Sequence, residues 1–168
     1  EYIFPVVPRG AGTGLACGAV PIYGGVVLSL EKMNKIIEVN ADAMYAVVEP
    51  GVRTSDLQAA AEAKGAFYAG DPCSGDSCFI GGNVATNAGG NRAVKYGTTR
   101  HQVYAVEVVS PTGKIVQLEY NWQHPQAGVV RMRCVGIRVA DSNGMVTLKG
   151  YHRIISNIIQ TSFLDANN

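Results

Sequence analysis

Charged side chains are scarce in this sequence. Its 168 residues include 14 Lys+Arg and 13 Asp+Glu, which is 16% of the chain against about 25% in an average protein. The formal net charge is +1 and no basic run occurs, so nothing in the composition favours binding to nucleic acid. Apolar residues make up 47% of the chain, which is enough for one sizeable core and excludes intrinsic disorder.

Long apolar runs and targeting signals are also absent. The apolar runs at 26–30 and 46–48 are strand-sized and fall far short of the ~18 residues that a membrane span needs. We therefore expect no membrane span. The sequence has no signal-peptide pattern and no initiator Met, and it starts within an extended segment, so we expect a piece of a longer polypeptide.

The cysteines do not form a metal-binding pattern. Four cysteines stand at positions 17, 73, 78 and 134, and the spacing of Cys73 and Cys78 is not one that zinc sites use. Free, reduced thiols are the favoured interpretation, with a disulfide or a cluster ligand as the alternatives. Reduced thiols predict a cytoplasmic location, and we expect no bound metal.

Glycine is the residue in excess, and it is clustered. The chain has 20 Gly among 168 residues, roughly 12% against a usual ~7%. These glycines lack the strict period of a collagen. Ten of the 20 lie within residues 10–25 and 81–90. These two glycine clusters, where the backbone can approach another group closely, are the feature to explain.

The apolar patterning predicts several short strands. They are expected at 2–8, 26–30, 36–39 and 45–49, in a hairpin of 103–110 with 114–118, and in a second hairpin of 135–140 with 145–148. Helices are expected from a capping box at Ser55–Gln58 to a stop at Gly65, over 83–88, and over 151–164. Residues 66–82 are expected to be irregular, and a long irregular stretch in a compact domain is usually functional.

The first glycine cluster suits an anionic ligand. Pro8-Arg-Gly-Ala-Gly-Thr-Gly14 follows a predicted strand, and successive glycine amides can converge on a phosphate while Arg9 adds a charge and Thr13 a hydroxyl. The spacing is neither the dinucleotide-fold fingerprint nor a P-loop, so a tight structural turn is the alternative.

The second cluster strengthens the case for a ligand. Gly81-Gly-Asn-Val-Ala-Thr-Asn-Ala-Gly-Gly90 carries neutral hydrogen-bonding side chains at Asn83, Thr86 and Asn87, which suit ribose, pyrophosphate or ring carbonyl atoms. Two small-residue loops suit one long ligand held at its middle, such as FAD. An unrelated phosphate-binding protein is a further alternative.

Several motifs in order resemble a known family. They are Pro8-Arg-Gly-Ala-Gly-Thr-Gly-Leu15, Val47-Val-Glu-Pro-Gly-Val52, Asp71-Pro72, Ile80-Gly-Gly-Asn-Val-Ala-Thr-Asn-Ala-Gly-Gly90, Lys95-Tyr-Gly-Thr98 and Thr112-Gly-Lys-Ile-Val116. Residues 5–118 resemble the FAD-binding domain of the vanillyl-alcohol oxidase (PCMH-type) superfamily. Within it they are most similar to the group of glycolate oxidase D-subunits, D-lactate dehydrogenases and D-2-hydroxyglutarate dehydrogenases.

The resemblance implies an α+β fold of two subdomains with FAD between them, here incomplete at both ends. Residues 1–118 would be the first part of the FAD-binding domain. Residues 119–168 would be a diverged hairpin and helix that complete or extend the same domain. The family's glycine-rich completion loop does not occur in that segment, and its substrate-binding cap is absent from the sequence.

The resemblance also implies the cofactor-binding residues. Residues 9–14 would wrap the pyrophosphate, residue 18 would continue that wrap, and the later motifs would line the rest of the FAD. The implied residues are Arg9, Gly10, Ala11, Gly12, Thr13, Gly14, Gly18, Asp71, Pro72, Gly81, Gly82, Asn83, Thr86, Asn87, Gly89, Gly90, Tyr96 and Gly97.

The implied activity is oxidation of a D-2-hydroxy acid such as lactate or glycolate, with hydride transfer to flavin N5. An electron-acceptor protein or sister subunits are the implied partners. The alternative is a non-catalytic flavin-binding or relict domain used for assembly or electron transfer. The family's catalytic base belongs to the cap, so no catalytic residue is assigned.

Aromatic and histidine side chains give only weak candidates for the active site. Tyr68 and Tyr96 are candidates for stacking on a flavin, with a half-buried strand position as the alternative. His101 is better explained as a surface or hairpin-edge histidine than as an active-site group.

Overall fold

The computed structural model of the protein describes residues 5–109 and 113–119, together with the backbone of residues 131–138. The strands are β1 (Val6–Arg9), β2 (Val26–Ser29), β3 (Ile36–Asn40), β4 (Tyr45–Val48), β5 (Val103–Val109), β6 (Ile115–Glu119) and β7 (Arg131–Arg138). The helices are α1 (Thr54–Glu62), α2 (Ile80–Thr86), α3 (Ala93–Tyr96) and α4 (Thr99–Gln102). The longest of these helices has nine residues, so none in this part of the chain could cross a membrane.

Five strands form one mixed sheet in the order β3-β4-β7-β5-β6. The pairs β3–β4 and β5–β6 are antiparallel, whereas β7 runs parallel to both of its neighbours, β4 and β5. The strands predicted at 36–39 and 45–49 are confirmed. The predicted hairpin of 103–110 with 114–118 is confirmed as well, and its register places Val109 opposite Ile115.

The central strand differs from the prediction. It was expected at 135–140 in a hairpin with 145–148, but β7 begins at Arg131 and ends at Arg138 between two parallel neighbours. Parallel partners from distant parts of the chain leave no signal in the local sequence. Residues 139–168, with the predicted strand at 145–148 and the predicted helix at 151–164, lie outside the described residues. The predicted division of the domain at residue 118 stays a prediction.

Strands β1 and β2 form a separate parallel pair that extends from Val6 opposite Val26 to Arg9 opposite Ser29. The extended segments predicted there are confirmed within the described residues. All four residues of β2 are exposed, and the loop before it also exposes large apolar side chains, including Leu15 and Tyr23. The small sheet therefore buries little of its own apolar surface.

The start of α1 differs from the predicted capping box. The N-cap is Arg53, and no side chain caps the helix. Gln58 Nε2 donates to Gly70 O at 2.8 Å, and the backbone N–H of Ser55 donates to Gly75 O at 3.1 Å. The Gln58 side chain and the Ser55 amide, which would bond to each other in a capping box, therefore donate to carbonyl groups of the irregular segment after the helix. The predicted stop at Gly65 is confirmed by its φ of +72°.

Helix α2 begins three residues before its predicted start at 83. The backbone N–H of Ile80 donates to Val52 O at 2.9 Å, and that of Gly81 donates to Pro50 O at 2.8 Å. These carbonyl groups satisfy amides that otherwise lack partners at a helix start, so the helix forms in spite of two glycines.

The main core lies between the sheet and the first two helices. Leu57 and Ala61 of α1 and Ile80 and Val84 of α2 belong to the same buried cluster as side chains of β4, β5 and β6. The sheet contributes Ala46, Val48, Val106, Val108 and Leu118. Burial of this cluster holds both helices on the sheet.

The turn at Pro50-Gly51 joins the large sheet to the chain that follows the small sheet. The backbone N–H of Gly51 donates to Met33 O at 2.7 Å. A Cβ on Gly51 would collide with Leu30 O and lie 2.7 Å from Met33 O. Leu30 N in turn donates to Arg9 O at the end of β1, so close approach at Gly51 couples the two sheets.

We predict that Gly51→Ala destabilises the protein by about 1–3 kcal/mol, because the new methyl group has to displace two backbone carbonyls. Urea unfolding measures this loss. Gly18→Ala is the matched control, since no atom lies within 4 Å of its Cβ position, and it should stay within about 0.5 kcal/mol of wild type. Equal stability of the two variants would contradict the proposed coupling of the sheets.

Candidate functional site

The first glycine loop (residues 9–14) leaves the end of β1 and lies at the surface. Gly12 has a φ of +75°, a left-handed conformation that glycine adopts without strain. The Arg9 side chain folds back over it, and Arg9 Nη2 lies 3.3 Å from the Cβ position of Gly12. The backbone of Gly12, the Arg9 guanidinium and the exposed Thr13 therefore occupy one small surface.

The second glycine segment (residues 80–90) consists of α2 and the turn after it. The helix ends at Thr86, and its C-cap Asn87 is left-handed with a φ of +49°. Gly89 and Gly90 follow, and Gly90 has a φ of +135°. The segment therefore presents the first turn of α2 at one end and a glycine turn at the other.

The fold brings the two glycine segments together. A Cβ on Gly10 would lie 3.8 Å from the Phe79 side chain and 3.9 Å from Gly82 N. The Cβ position of Gly14 is 4.0 Å from Thr86 Cγ2. The first glycine loop thus lies along the exposed side of α2, as expected if both segments contact one ligand.

The backbone N–H of Gly82 is available at this junction. The amides of Ile80 and Gly81 donate to carbonyls of residues 50–52, and the amide of Asn83 donates to Phe79 O. Within the described part of the chain, Gly82 N–H has no protein acceptor. It is a half-buried donor beside a loop that carries an arginine.

Six of the nine predicted site glycines fall into two groups. At Gly81, Gly90 and Gly97 the protein itself excludes a side chain, because a Cβ would collide with Pro50, with Asp71 O and with the His101 ring, respectively. At Gly18, Gly82 and Gly89 a Cβ would meet nothing within 4 Å, and their φ angles are not left-handed. Protein packing therefore explains the first group and leaves the second free to accommodate a ligand.

The polar side chains of α2 are used within the protein. Asn83 is 4% exposed, and its Nδ2 donates to Thr54 Oγ1 at 2.7 Å. Asn87 Oδ1 accepts from the backbone N–H of Arg100 at 2.9 Å, and Thr86 Oγ1 donates to Gly82 O at 2.9 Å. Of these three residues only Thr86 is exposed. Their predicted contact with a ligand stays a prediction.

Asp71 and Pro72 pack against the end of the second glycine segment. Gly90 packs against Asp71 O, and Arg92 Nε lies 3.3 Å from Asp71 Oδ2 in an ion pair. The Arg92 guanidinium also stands 4.9 Å from the centroid of the Phe67 ring. The middle loop and the turn at Gly90 therefore form one surface.

Tyr96 belongs to the same surface. Its ring centroid is 5.6 Å from that of Phe67, and its carbonyl accepts from Gln102 Nε2 at 2.7 Å. Tyr68, the other aromatic candidate, is fully buried in the core, so the idea that it stacks on a flavin is wrong. Burial under the chain at Gly70 accounts for its position, since a Cβ there would lie 2.7 Å from the ring.

Two predicted features stand apart from this surface. Gly18 is exposed in the loop before β2, and no described contact joins it to the other site residues.

Cys17, Cys73 and Cys78 are free thiols, and the described residues contain no cluster of three metal-ligating side chains.

Sequence reasoning missed several residues that shape the site. Phe79 lies against the first glycine loop, Arg92 and Phe67 form the surface beside Asp71, and Thr54 holds Asn83. Phe67 and Phe79 lie near the two ends of the segment expected to be irregular, beside other apolar residues, and this gave only a faint signal. Thr54 and Arg92 gave none, because their partners are distant in sequence.

The donor set fits the diphosphate of a dinucleotide such as FAD. The free backbone amide of Gly82, the glycine loop beside it and the Arg9 guanidinium are groups of the kind that bind phosphate oxygens. Open Cβ positions at Gly82 and Gly89 leave room for close approach of a ligand.

Comparison with known proteins identifies the family of the chain. Residues 1–119 match the family described as FAD binding domain. The chain is 53% identical over 119 residues to a D-lactate dehydrogenase of Anaerostipes hadrus, covering 70% of this chain and 25% of that protein. It is 46% identical over 117 residues to glycolate oxidase subunit GlcD of Bacillus subtilis, again covering 70% and 25%. The chain thus spans about a quarter of the length of these relatives.

A solved structure agrees as well. An alkyldihydroxyacetonephosphate synthase superposes with a TM-score of 0.61 and 26% identity, covering 70% of this chain and 24% of that one. The mixed α/β fold therefore matches that solved structure over part of the chain. The chain belongs to the PCMH-type FAD-binding domain family, as an FAD-binding oxidoreductase domain related to glycolate oxidase and D-lactate dehydrogenase.

Proposed function

We propose that this chain binds FAD between its two sheets, in the two-subdomain arrangement of its family. The observation that carries the proposal is the contact between the first glycine loop and Gly82, whose backbone N–H is available. Arg9, Thr13 and these amides would hold the diphosphate. The surface of Asp71, Gly90 and Tyr96 would hold a further part of the cofactor.

We further propose that the protein oxidises a D-2-hydroxy acid of the lactate or glycolate type. This extends to the chain what the names of its relatives say of those proteins. Bound FAD would supply the hydride acceptor at N5 for the α-carbon hydrogen. The described residues would bind and orient the cofactor and exclude water beside it, and none of them is assigned as the base.

Partners and location follow from the same proposal. The Bacillus subtilis relative is named as a subunit, which supports sister subunits or an electron-acceptor protein as partners. A cytoplasmic location stays a prediction from cysteine usage. The competing function is a flavin-binding domain without catalytic activity, used for assembly or electron transfer.

Substitutions at the two neighbouring glycines test the cofactor site. Gly82→Ala should raise the stability of the apoprotein by about 0.5–1 kcal/mol, because alanine favours the helix and the Cβ meets no protein atom. The same variant should weaken FAD binding at least about tenfold, since the methyl group lies beside the free amide. Urea unfolding and titration of flavin fluorescence measure the two effects.

Gly81→Ala is the matched control for the stability measurement. Its Cβ would lie 2.6 Å from Pro50 Cβ, so it should lose about 1–3 kcal/mol of stability. A Gly82→Ala protein that binds FAD as tightly as wild type would place the cofactor elsewhere.

The activity is tested by anaerobic mixing of the FAD-loaded, full-length protein with D-lactate or glycolate. Either substrate should bleach the visible absorbance of oxidised flavin. L-lactate should bleach it far more slowly, because the opposite configuration at its α-carbon would direct the α-hydrogen away from flavin N5. Bound flavin that none of these acids reduces would support the non-catalytic function instead.

A further inference from the structure

Three polar side chains are buried together where α1 and α2 begin. Thr54 is fully buried, and Cys78 and Asn83 are 3% and 4% exposed. Thr54 Oγ1 accepts from Asn83 Nδ2 at 2.7 Å and lies 3.1 Å from Cys78 Sγ. The same two helices bury the apolar side chains Leu57 and Ile80 in the core, and a polar group buried in such surroundings is costly unless its hydrogen bonds are made.

The Thr54 hydroxyl can bond to both of the other side chains. Thr54 Oγ1 accepts the Asn83 proton with one lone pair, and its own proton can go to Cys78 Sγ. Backbone bonds join the same two segments. Thr54 N donates to Cys78 O at 3.2 Å, and Arg53 forms a β-bridge with Phe79. The start of α1 is therefore bound to the residues that lead into α2.

This network contributes to the rotation of α2, together with the bonds from the amides of Ile80 and Gly81 to residues 50–52. Asn83 follows Gly82, and successive helix residues differ by about 100° around the axis. When Asn83 is held inward by Thr54, Gly82 is held toward Gly10, whose Cβ position lies 3.9 Å from Gly82 N. Turning α2 about its axis would break the hydrogen bond between Asn83 and Thr54 and move the free amide away from the first glycine loop.

We propose that Thr54 and Asn83 are positioning residues for cofactor binding, which act by fixing the Gly82 amide against the first glycine loop. The proposal rests on the proposed FAD-binding function. It gives Asn83 a role other than direct contact with FAD, and it gives Thr54, outside both glycine clusters, a role in affinity.

Conservative substitutions of Thr54 in the full-length protein test the proposal. Thr54→Val keeps the branched shape but leaves the Asn83 amide without its acceptor, and it should raise the Kd for FAD about tenfold. Thr54→Ser restores the hydroxyl and should bind FAD within about twofold of wild type. Flavin fluorescence gives the Kd, and urea unfolding of the apoprotein gives the stability of each variant.

A core substitution on the same helix separates positioning from general destabilisation. Leu57→Val also removes buried contacts from α1 but leaves Thr54 and Asn83 bonded, so it should lower stability and leave the Kd within about twofold of wild type. A similar rise in Kd for Leu57→Val would overturn the proposal.

Asn83→Ala is the second variant, and it allows the test to proceed if Thr54→Val does not fold. It should raise the Kd about as much, and the double variant should be no weaker than either single variant, because both act through one hydrogen bond. Normal FAD binding by either single variant overturns the positioning roles alone. A wild-type protein that takes up no FAD overturns the proposed function as well.

Discussion

The close approach of the Pro50-Gly51 turn to its neighbours is the constraint on which the rest of the structure depends. On one side Pro50 O accepts from Gly81 N, which starts α2. On the other side Gly51 N donates to Met33 O, next to the end of the small sheet. Neither Gly51 nor Gly81 could carry a Cβ without a collision, so two glycines allow one turn to join both sheets and α2.

The candidate cofactor site is a consequence of that junction. Once α2 begins at the turn, its first residues face the loop that leaves β1, and the amide of Gly82 lies beside Gly10. The charge needed there is small, since backbone amides and Arg9 can serve a diphosphate. The low charge of the whole chain is compatible with such a site.

The excess of glycine has two physical origins rather than one. Gly81, Gly90 and Gly97 are required by contacts within the protein, whereas Gly82 and Gly89 face open space. Both kinds occur side by side in one motif, and the sequence does not distinguish them. Only the positions of Pro50, Asp71 and His101 in the folded chain separate structural glycines from those left open to a ligand.

Most of the fold could be predicted because its signals are local. Short apolar runs and alternating apolar residues located β2 to β6, and Gly65 ended α1 as expected. The errors have one cause, which is competition from distant partners. Gly70 O takes the Gln58 side chain from the predicted cap, and Val52 O supports an earlier start of α2.

The sequence by itself determined strands β1 to β6, the two glycine segments and the family, because each depends on residues close together along the chain. The tertiary structure decided that β7 lies between β4 and β5 and that Asn83 faces Thr54. A buried amide takes whichever acceptor the packing supplies, and that acceptor lies 29 residues away in the chain.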